Sequence, residues 1–197
     1  LTDILNSGNH MLSMVMNMLW LYKFDNNRIS INLTSFDVNE LIKEILYENK
    51  LLFSIKKSKF VQNNNTAKIH ILADKSHIKR IIHNILINAV NHSKDGSVIY
   101  INTGIETNRF VFKVVNKGKC ISADLLECIF NRDSIFKQKC NGLSTGLGLY
   151  LSNSLLKING GEFIYSSDDN GLNTFGFSIK LHTKITSNEI IRTKIHD

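Results

Sequence analysis

The residues best suited to chemistry fall in two short stretches. Asn84, Asn88 and Asn91 stand at i, i+4 and i+7, a spacing that puts all three on one flank of a helix, beside its apolar face. An asparagine carbonyl is a hard oxygen donor suited to Mg²⁺, which usually keeps waters and bridges substrate phosphates. Asparagine is also a poor helix former and a common surface residue, so a solvated flank is the competing reading. Downstream, Ser144-Thr145-Gly146-Leu147-Gly148-Leu149 is a glycine-rich turn running into a helical pattern. Backbone there can approach an anion closely, and a helix start offers free N–H groups and the positive end of the dipole. The stretch is neither the lysine-containing phosphate loop nor the dinucleotide fingerprint, and a plain loop would carry the same glycines. Cys120, Cys128 and Cys140 form an odd set with no Cys-x-x-Cys pair and no histidine at zinc spacing, which reads as free thiols.

These residues need elements to hold them. Leu1 to Tyr22 carries Ile4, Leu12, Val15, Met16, Leu19 and Trp20, an amphipathic helix whose apolar seam requires a partner. The alternation Ile29, Ile31, Leu33 suggests a short strand, and Asp37 caps a helix bearing Val38, Leu41, Ile42, Ile45 and Leu46. A strand-like stretch ends at Ile69 to Leu72. Then comes the best-patterned helix, capped by Asp74 or Ser76, with Ile78, Ile81, Ile82, Ile85, Leu86, Ala89 and Val90 on its buried face. Val98 to Ile105 and Phe110 to Val115 read as an antiparallel hairpin. A short helix around Leu125 to Phe130 precedes a polar stretch, Asn131 to Thr145. A further helix runs from Gly146 to Lys157 and stops at Asn159-Gly160-Gly161. Glu162 to Ser166 and Thr174 to Leu181 close the sheet around the turn Asp168 to Gly171. Helices interspersed with hairpin-linked strands predict an α/β (α+β) fold, a two-layer sandwich with helices on one face of a mostly antiparallel sheet.

Composition narrows the function classes. In 197 residues, 43% are hydrophobic and 21% charged, an ordinary globular balance that excludes disorder as the main answer. Apolar runs such as Ile81 to Leu86 stop well short of the roughly 18 to 20 residues that cross a bilayer. The net charge of +7 comes from scattered Lys and Arg, without the basic, aromatic-interleaved stripe of a nucleic-acid interface. No nucleic-acid partner and no direct membrane contact are therefore expected. The absence of proline, with abundant Asn and Ile, reflects AT-rich coding more than fold. The chain starts without Met and reads as a piece of something longer.

Order and spacing then carry a resemblance. His77-Ile78-Lys79-Arg80-Ile81-Ile82-His83-Asn84-Ile85-Leu86-Ile87-Asn88-Ala89-Val90-Asn91-His92-Ser93 resembles the asparagine box of sensor histidine kinases. Asn116-Lys117-Gly118-Lys119-Cys120-Ile121 resembles their first glycine box, and Ile129-Phe130 with Ile135-Phe136 their phenylalanine box. Thr145-Gly146-Leu147-Gly148-Leu149 with Gly160-Gly161-Glu162-Phe163 resembles the second glycine box and the helix and strand beyond it. Ile4 to Leu12 through Leu19 to Tyr22 looks like the second helix of the dimerisation hairpin.

The resemblance implies a Bergerat-type ATP-binding domain preceded by a dimerisation helix. It divides the chain into residues 1–24 (second hairpin helix), 25–36 (linker or short strand), 37–181 (ATP-binding catalytic domain) and 182–197 (linker or tail). ATP and Mg²⁺ are the implied ligands. Asn88 would ligate Mg²⁺, Asn84 would assist in the phosphate and metal region, and Asn116 would face the adenine amino group beside Gly118. Thr145, Gly146, Leu147, Gly148 and Leu149 would supply lid and helix-start contacts to the phosphates, with Asn131 to Thr145 as the lid. Asn91 and His92 also border the nucleotide. The implied activity is that of a protein-histidine kinase, a transferase moving the ATP γ-phosphate to a histidine and onward to an aspartate of a response-regulator receiver. The implied assembly is a homodimer through the hairpin, in the cytoplasmic portion of a bacterial inner-membrane protein.

Four positions depart from the family. Asn116 stands where Asp is usual, Cys120 replaces a glycine, Asn91 stands where Lys is common and His92 where an aromatic often packs. None of His10, His70, His77, His83, His92, His182 and His196 has the phosphoacceptor context, so this stretch is not expected to autophosphorylate alone. A degenerate, non-catalytic module acting by dimerisation or protein interaction is the alternative. The gyrase, mismatch-repair and chaperone ATPases of the same fold are a third reading, against which the front helix argues.

Overall fold

A computed structural model describes residues 2–26, 28–64, 68–120, 122, 130 and 147–181. The elements in chain order are α1 (Thr2–Asp25), β1 (Leu33–Asp37), α2 (Val38–Glu48), α3 (Lys50–Ile55), β2 (Lys59–Asn64), β3 (His70–Asp74), α4 (Lys75–Asn91), β4 (Val98–Glu106), β5 (Arg109–Lys117), α5 (Leu147–Ile158), β6 (Gly161–Ser167) and β7 (Leu172–Lys180). Five strands form one sheet in the order β2-β4-β5-β7-β6, and β1 pairs with β3 in a separate two-stranded ladder. Among the described residues only β2 with β4 is parallel; β4–β5, β5–β7 and β6–β7 are antiparallel.

Periodicity explains the layering. In α4, Ile78, Ile81, Ile82, Ile85 and Leu86 are fully buried, the three-and-four spacing of one face. They share a core with Ile99 and Ile101 of β4, Phe110, Phe112 and Val114 of β5, Leu151 and Leu155 of α5, and Phe177 of β7. Helices therefore cover one face of the sheet, the expected two-layer sandwich. Asp74 caps α4: its Oδ1 accepts from the Ser76 and His77 N–H groups at 2.9 and 3.1 Å, satisfying donors a helix start leaves open. Asp37 caps α2 in the same manner through the Asn39 N–H.

Two parts of the sequence reading shift. The strand expected across Ile29 to Leu33 forms instead at Leu33–Asp37, because its ladder with β3 begins at Leu33 opposite Asp74. Just upstream, the Asn32 N–H donates to the Asp74 carboxylate at 2.8 Å instead of entering a ladder. The helix α3 and strand β2 are not apparent in the sequence pattern. β2 is an edge strand, and its Phe60 packs with Phe53 of α3 as a ring pair 4.6 Å apart. The expected short helix at Leu125 to Phe130, apart from Phe130, and the tail from His182 lie outside the described residues.

The front helix rests on the domain through a small polar and aromatic contact. Asn17 accepts from the Arg80 guanidinium at 2.7 Å, which also lies 5.0 Å over the Trp20 ring. Trp20 meets His77 edge-on. Of the expected seam, Val15, Met16 and Leu19 are exposed, as are Met11, Met18 and Tyr22 on the same helix. No described helix is long and apolar enough to cross a membrane.

Candidate nucleotide site

The alternation of β5 places its last residues. Phe110, Phe112 and Val114 face the helices, and Asn116 continues that series as a buried polar residue, 2% exposed. The same holds in β7, where Asn173 precedes Phe175, Phe177 and Ile179 on the core face. Asn116 and Asn173 are opposite each other in the ladder. A polar residue at the end of a buried alternation needs a partner or a purpose.

Asn116 Nδ2 donates to Ser93 Oγ at 3.0 Å, and Ser93 Oγ donates to the Ala89 carbonyl at 2.6 Å. The Asn116 Oδ1 has no hydrogen-bond partner among the described residues. Asn173 uses both ends of its amide, accepting from Ser167 Oγ at 2.6 Å and donating to the Lys119 carbonyl at 3.0 Å, so it ties down the loop that follows Asn116. Gly118 seals the junction: it bridges Ser93, and a Cβ there would collide with the His92 carbonyl oxygen. Only glycine lets the β5 end approach the end of α4 this closely.

On α4, the three asparagines are treated differently. Asn84 Nδ2 donates to the Gly148 carbonyl and to Ser152 Oγ, both at 3.1 Å, binding α4 to the first turn of α5. Asn88, one turn later and half-buried, makes no side-chain hydrogen bond among the described residues. Asn91 is exposed, and its carbonyl accepts from Lys56 Nζ at 3.2 Å. Lys56 thereby places a cation at a helix C-terminus that has no basic residue of its own. His92 caps that end, donating its backbone N–H to the Asn88 carbonyl. Burial, reinforced by the Lys56 charge, lowers the pKa of its ring, favouring the neutral imidazole.

Leu147 and Leu149 are buried in the first turn of α5 and Gly148 is half-buried between them. Thr145, Gly146 and the expected lid, Asn131 to Thr145, lie outside the described residues. Phe130 meets Phe163 of β6 edge-on at 5.1 Å and lies tilted against Tyr165 at 5.5 Å. Cys120 is an exposed free thiol whose Sγ lies 3.2 Å from the Asp168 carbonyl.

Sequence reasoning missed Ser93, Asn173 and Lys56 as site residues. For Asn173 a signal existed, since it breaks the apolar register of β7 as Asn116 breaks that of β5. Ser93 closes the asparagine box, but its bond to Asn116 joins residues 23 positions apart, and Lys56 carries no signal because its contact with Asn91 spans 35 positions.

The arrangement suits a hydrogen-bond donor beside a hard cation. One buried amide offers an unused acceptor, and one helix flank offers an unused amide whose oxygen is a hard donor. Among the described residues no three His, Cys, Asp or Glu side chains stand together to hold a metal.

The family model described as histidine kinase-, DNA gyrase B-, and HSP90-like ATPase matches residues 73–184. The sensor protein KdpD of Clostridium acetobutylicum is 28% identical over 171 residues, covering 86% of this chain and 19% of that relative. The catalytic domain of histidine kinase ThkA aligns with a TM-score of 0.65 at 25% identity, covering 76% of this chain and 96% of that one. A structure of ThkA in complex with the response regulator TrrA aligns with a TM-score of 0.66 at 21% identity, over 87% of this chain and 49% of that one. The chain thus spans about a fifth of the KdpD length.

Proposed function

The chain belongs to the family of histidine kinase-, DNA gyrase B- and HSP90-like ATPases, and we propose that it is the catalytic part of a sensor histidine kinase, binding Mg-ATP between α4 and the end of β5. The observation that carries the reading is the pair of unused amide groups, Asn116 Oδ1 and the Asn88 side chain, on adjoining elements held together by Ser93 and Gly118. Asn116 accepts a hydrogen bond from the adenine amino group. Asn88 would hold Mg²⁺ through its amide oxygen, and the ion would supply neutralisation of phosphate charge. Asn84 orients the first turn of α5, so that Leu147, Gly148 and Leu149 present backbone N–H groups to the phosphates. Asn91 and His92 border the site, and Lys56 supplies a positive charge near them, where the family places a lysine on the helix itself.

In this reading the protein's contribution to transfer is positioning and charge stabilisation. The γ-phosphate passes to a histidine outside this sequence and then to a receiver aspartate of a response regulator, the kind of partner the ThkA complex contains. The exposed apolar stripe of α1, with Met11 66% and Val15 54% exposed, supports pairing with a second copy through the dimerisation hairpin. The whole protein is proposed to sit at the inner membrane with this portion in the cytoplasm.

The test is calorimetric titration with ADP and a non-hydrolysable ATP analogue, with and without Mg²⁺. Micromolar, Mg-dependent binding that Asn88→Ala removes is the expected result. No binding at millimolar nucleotide contradicts the reading and leaves the non-catalytic interaction module.

A further inference from the structure

We propose that Ser93 is a specificity-determining positioning residue: it holds the Asn116 amide in one of its two orientations, and so makes the site select a 6-amino purine over a 6-oxo purine. The inference rests on the assignment of Asn116 to the base in the preceding subsection.

Proton placement decides the orientation. Ser93 Oγ lies 2.6 Å from the Ala89 carbonyl oxygen, and a carbonyl can only accept, so the single hydroxyl proton is committed to it. The same Ser93 oxygen is 3.0 Å from the Asn116 amide and now has only lone pairs to offer. Asn116 must supply the proton, which fixes Nδ2 toward Ser93 and Oδ1 away from it. A flipped amide would set two acceptors against each other in a buried place, leaving an Nδ2 donor where Oδ1 had been.

An acceptor with no other partner matches the N–H donors of an adenine amino group and opposes the carbonyl oxygen of hypoxanthine or guanine. An aspartate would discriminate in this way whatever its orientation, because both of its oxygens accept. An asparagine does so only when something chooses its orientation. The departure at Asn116 thus gives the last residue of the asparagine box a task that an aspartate there would not require.

Titration with ADP and with inosine diphosphate, which differ only at the purine 6-position and the adjoining ring nitrogen, separates the possibilities. The 197-residue chain is expected to prefer ADP by about tenfold or more, the value of one hydrogen bond made or opposed in a buried site. Ser93→Ala releases the amide and narrows the ratio to about threefold or less, whereas Ser93→Thr keeps it. Ser93→Ala combined with Asn116→Asp restores the preference, since a carboxylate has no donor to present. The ratio is the readout, so a general loosening that weakens both nucleotides equally does not imitate the effect. Ser93→Cys, a weak acceptor of similar size, is expected to narrow the ratio likewise and decides the matter if the alanine variant does not fold. An unchanged ratio in Ser93→Ala, or no ADP preference in the parent chain, overturns the Ser93 assignment while nucleotide binding stands. Failure of the parent chain to bind either nucleotide overturns both.

Discussion

Two buried asparagines at opposite ends of the helical layer differ in how much of each amide is in use. Asn159, just past α5, has every group in use. Its Oδ1 accepts from the Asp74 N–H at 2.8 Å, and its Nδ2 donates to the Leu155 carbonyl at 2.7 Å and faces His77 Nδ1 at 3.2 Å. Asn116 is equally buried, is oriented just as firmly by Ser93, and leaves its Oδ1 open among the described residues. The first amide is a joint that holds β3, α4 and α5 together. The second is a joint on one side and, in the proposed function, a binding group on the other. Burial alone does not distinguish them; the count of unused lone pairs does.

The contrast can be broken from either end. The largest effect is expected at the saturated joint: Asn159→Ala leaves the Asp74 N–H and the His77 ring nitrogen without partners and should lower unfolding stability by about 2–4 kcal/mol in urea titration. Next comes Gly118→Ala, whose methyl group meets backbone rather than a movable side chain. It should cost about 1–3 kcal/mol and weaken ADP binding as well, because the bridge to Ser93 opens.

The Asn159 joint also sets a pH dependence. Because Oδ1 is committed to Asp74, Nδ2 must be the donor to His77 Nδ1, so the ring is held with Nδ1 bare. Burial lowers the His77 pKa, and the Asp74 carboxylate opposes this without reversing it. The unfolded chain therefore takes up the proton first. The stability this group contributes is present above its unfolded pKa of about 6.5 and is lost as pH falls below that toward the folded value. His83 and His92 are lowered as well, chiefly by burial, and add to the same slope. Unfolding midpoints measured from about pH 7.5 to 5 should fall, and His77→Gln, which keeps an acceptor for Asn159, should flatten part of that decline. The smallest effect is expected at the surface network of Lys79 with Glu44 and Glu48, at 2.6 and 2.8 Å. Lys79→Ala should change stability by under about 1 kcal/mol, and less in high salt.

Much of this was legible before any coordinates. The Ile78-to-Val90 periodicity, the Asp74 cap and the glycine stop at Asn159-Gly160-Gly161 are local signals, and α4 and α5 form where they place them. Gly160 takes the left-handed conformation, φ 68°, that such a stop requires. The box residues Asn84, Asn88 and Asn116 could be named from spacing and resemblance. What each amide does could not. That Asn84 ties α4 to Gly148 and Ser152, that Ser93 orients Asn116, and that Asn159 reaches His77 are facts about residues 23 to 82 positions apart in sequence. Short-range pattern carries no record of them. The missed strand β2 has the same cause: its sequence, Lys59-Phe60-Val61-Gln62-Asn63-Asn64, alternates weakly, and its pairing with β4 supplies the order.

The most direct test sets the two asparagines side by side, measuring melting temperature and ADP affinity for Asn116→Ala and Asn159→Ala against the parent chain. The account predicts a crossed result: Asn116→Ala loses ADP affinity by about tenfold or more while melting close to the parent, and Asn159→Ala melts far lower yet binds ADP within a few-fold below its transition. If Asn116→Ala were to lower the melting temperature as Asn159→Ala does and leave ADP affinity unchanged, Asn116 would be a structural amide and the nucleotide site would lie elsewhere.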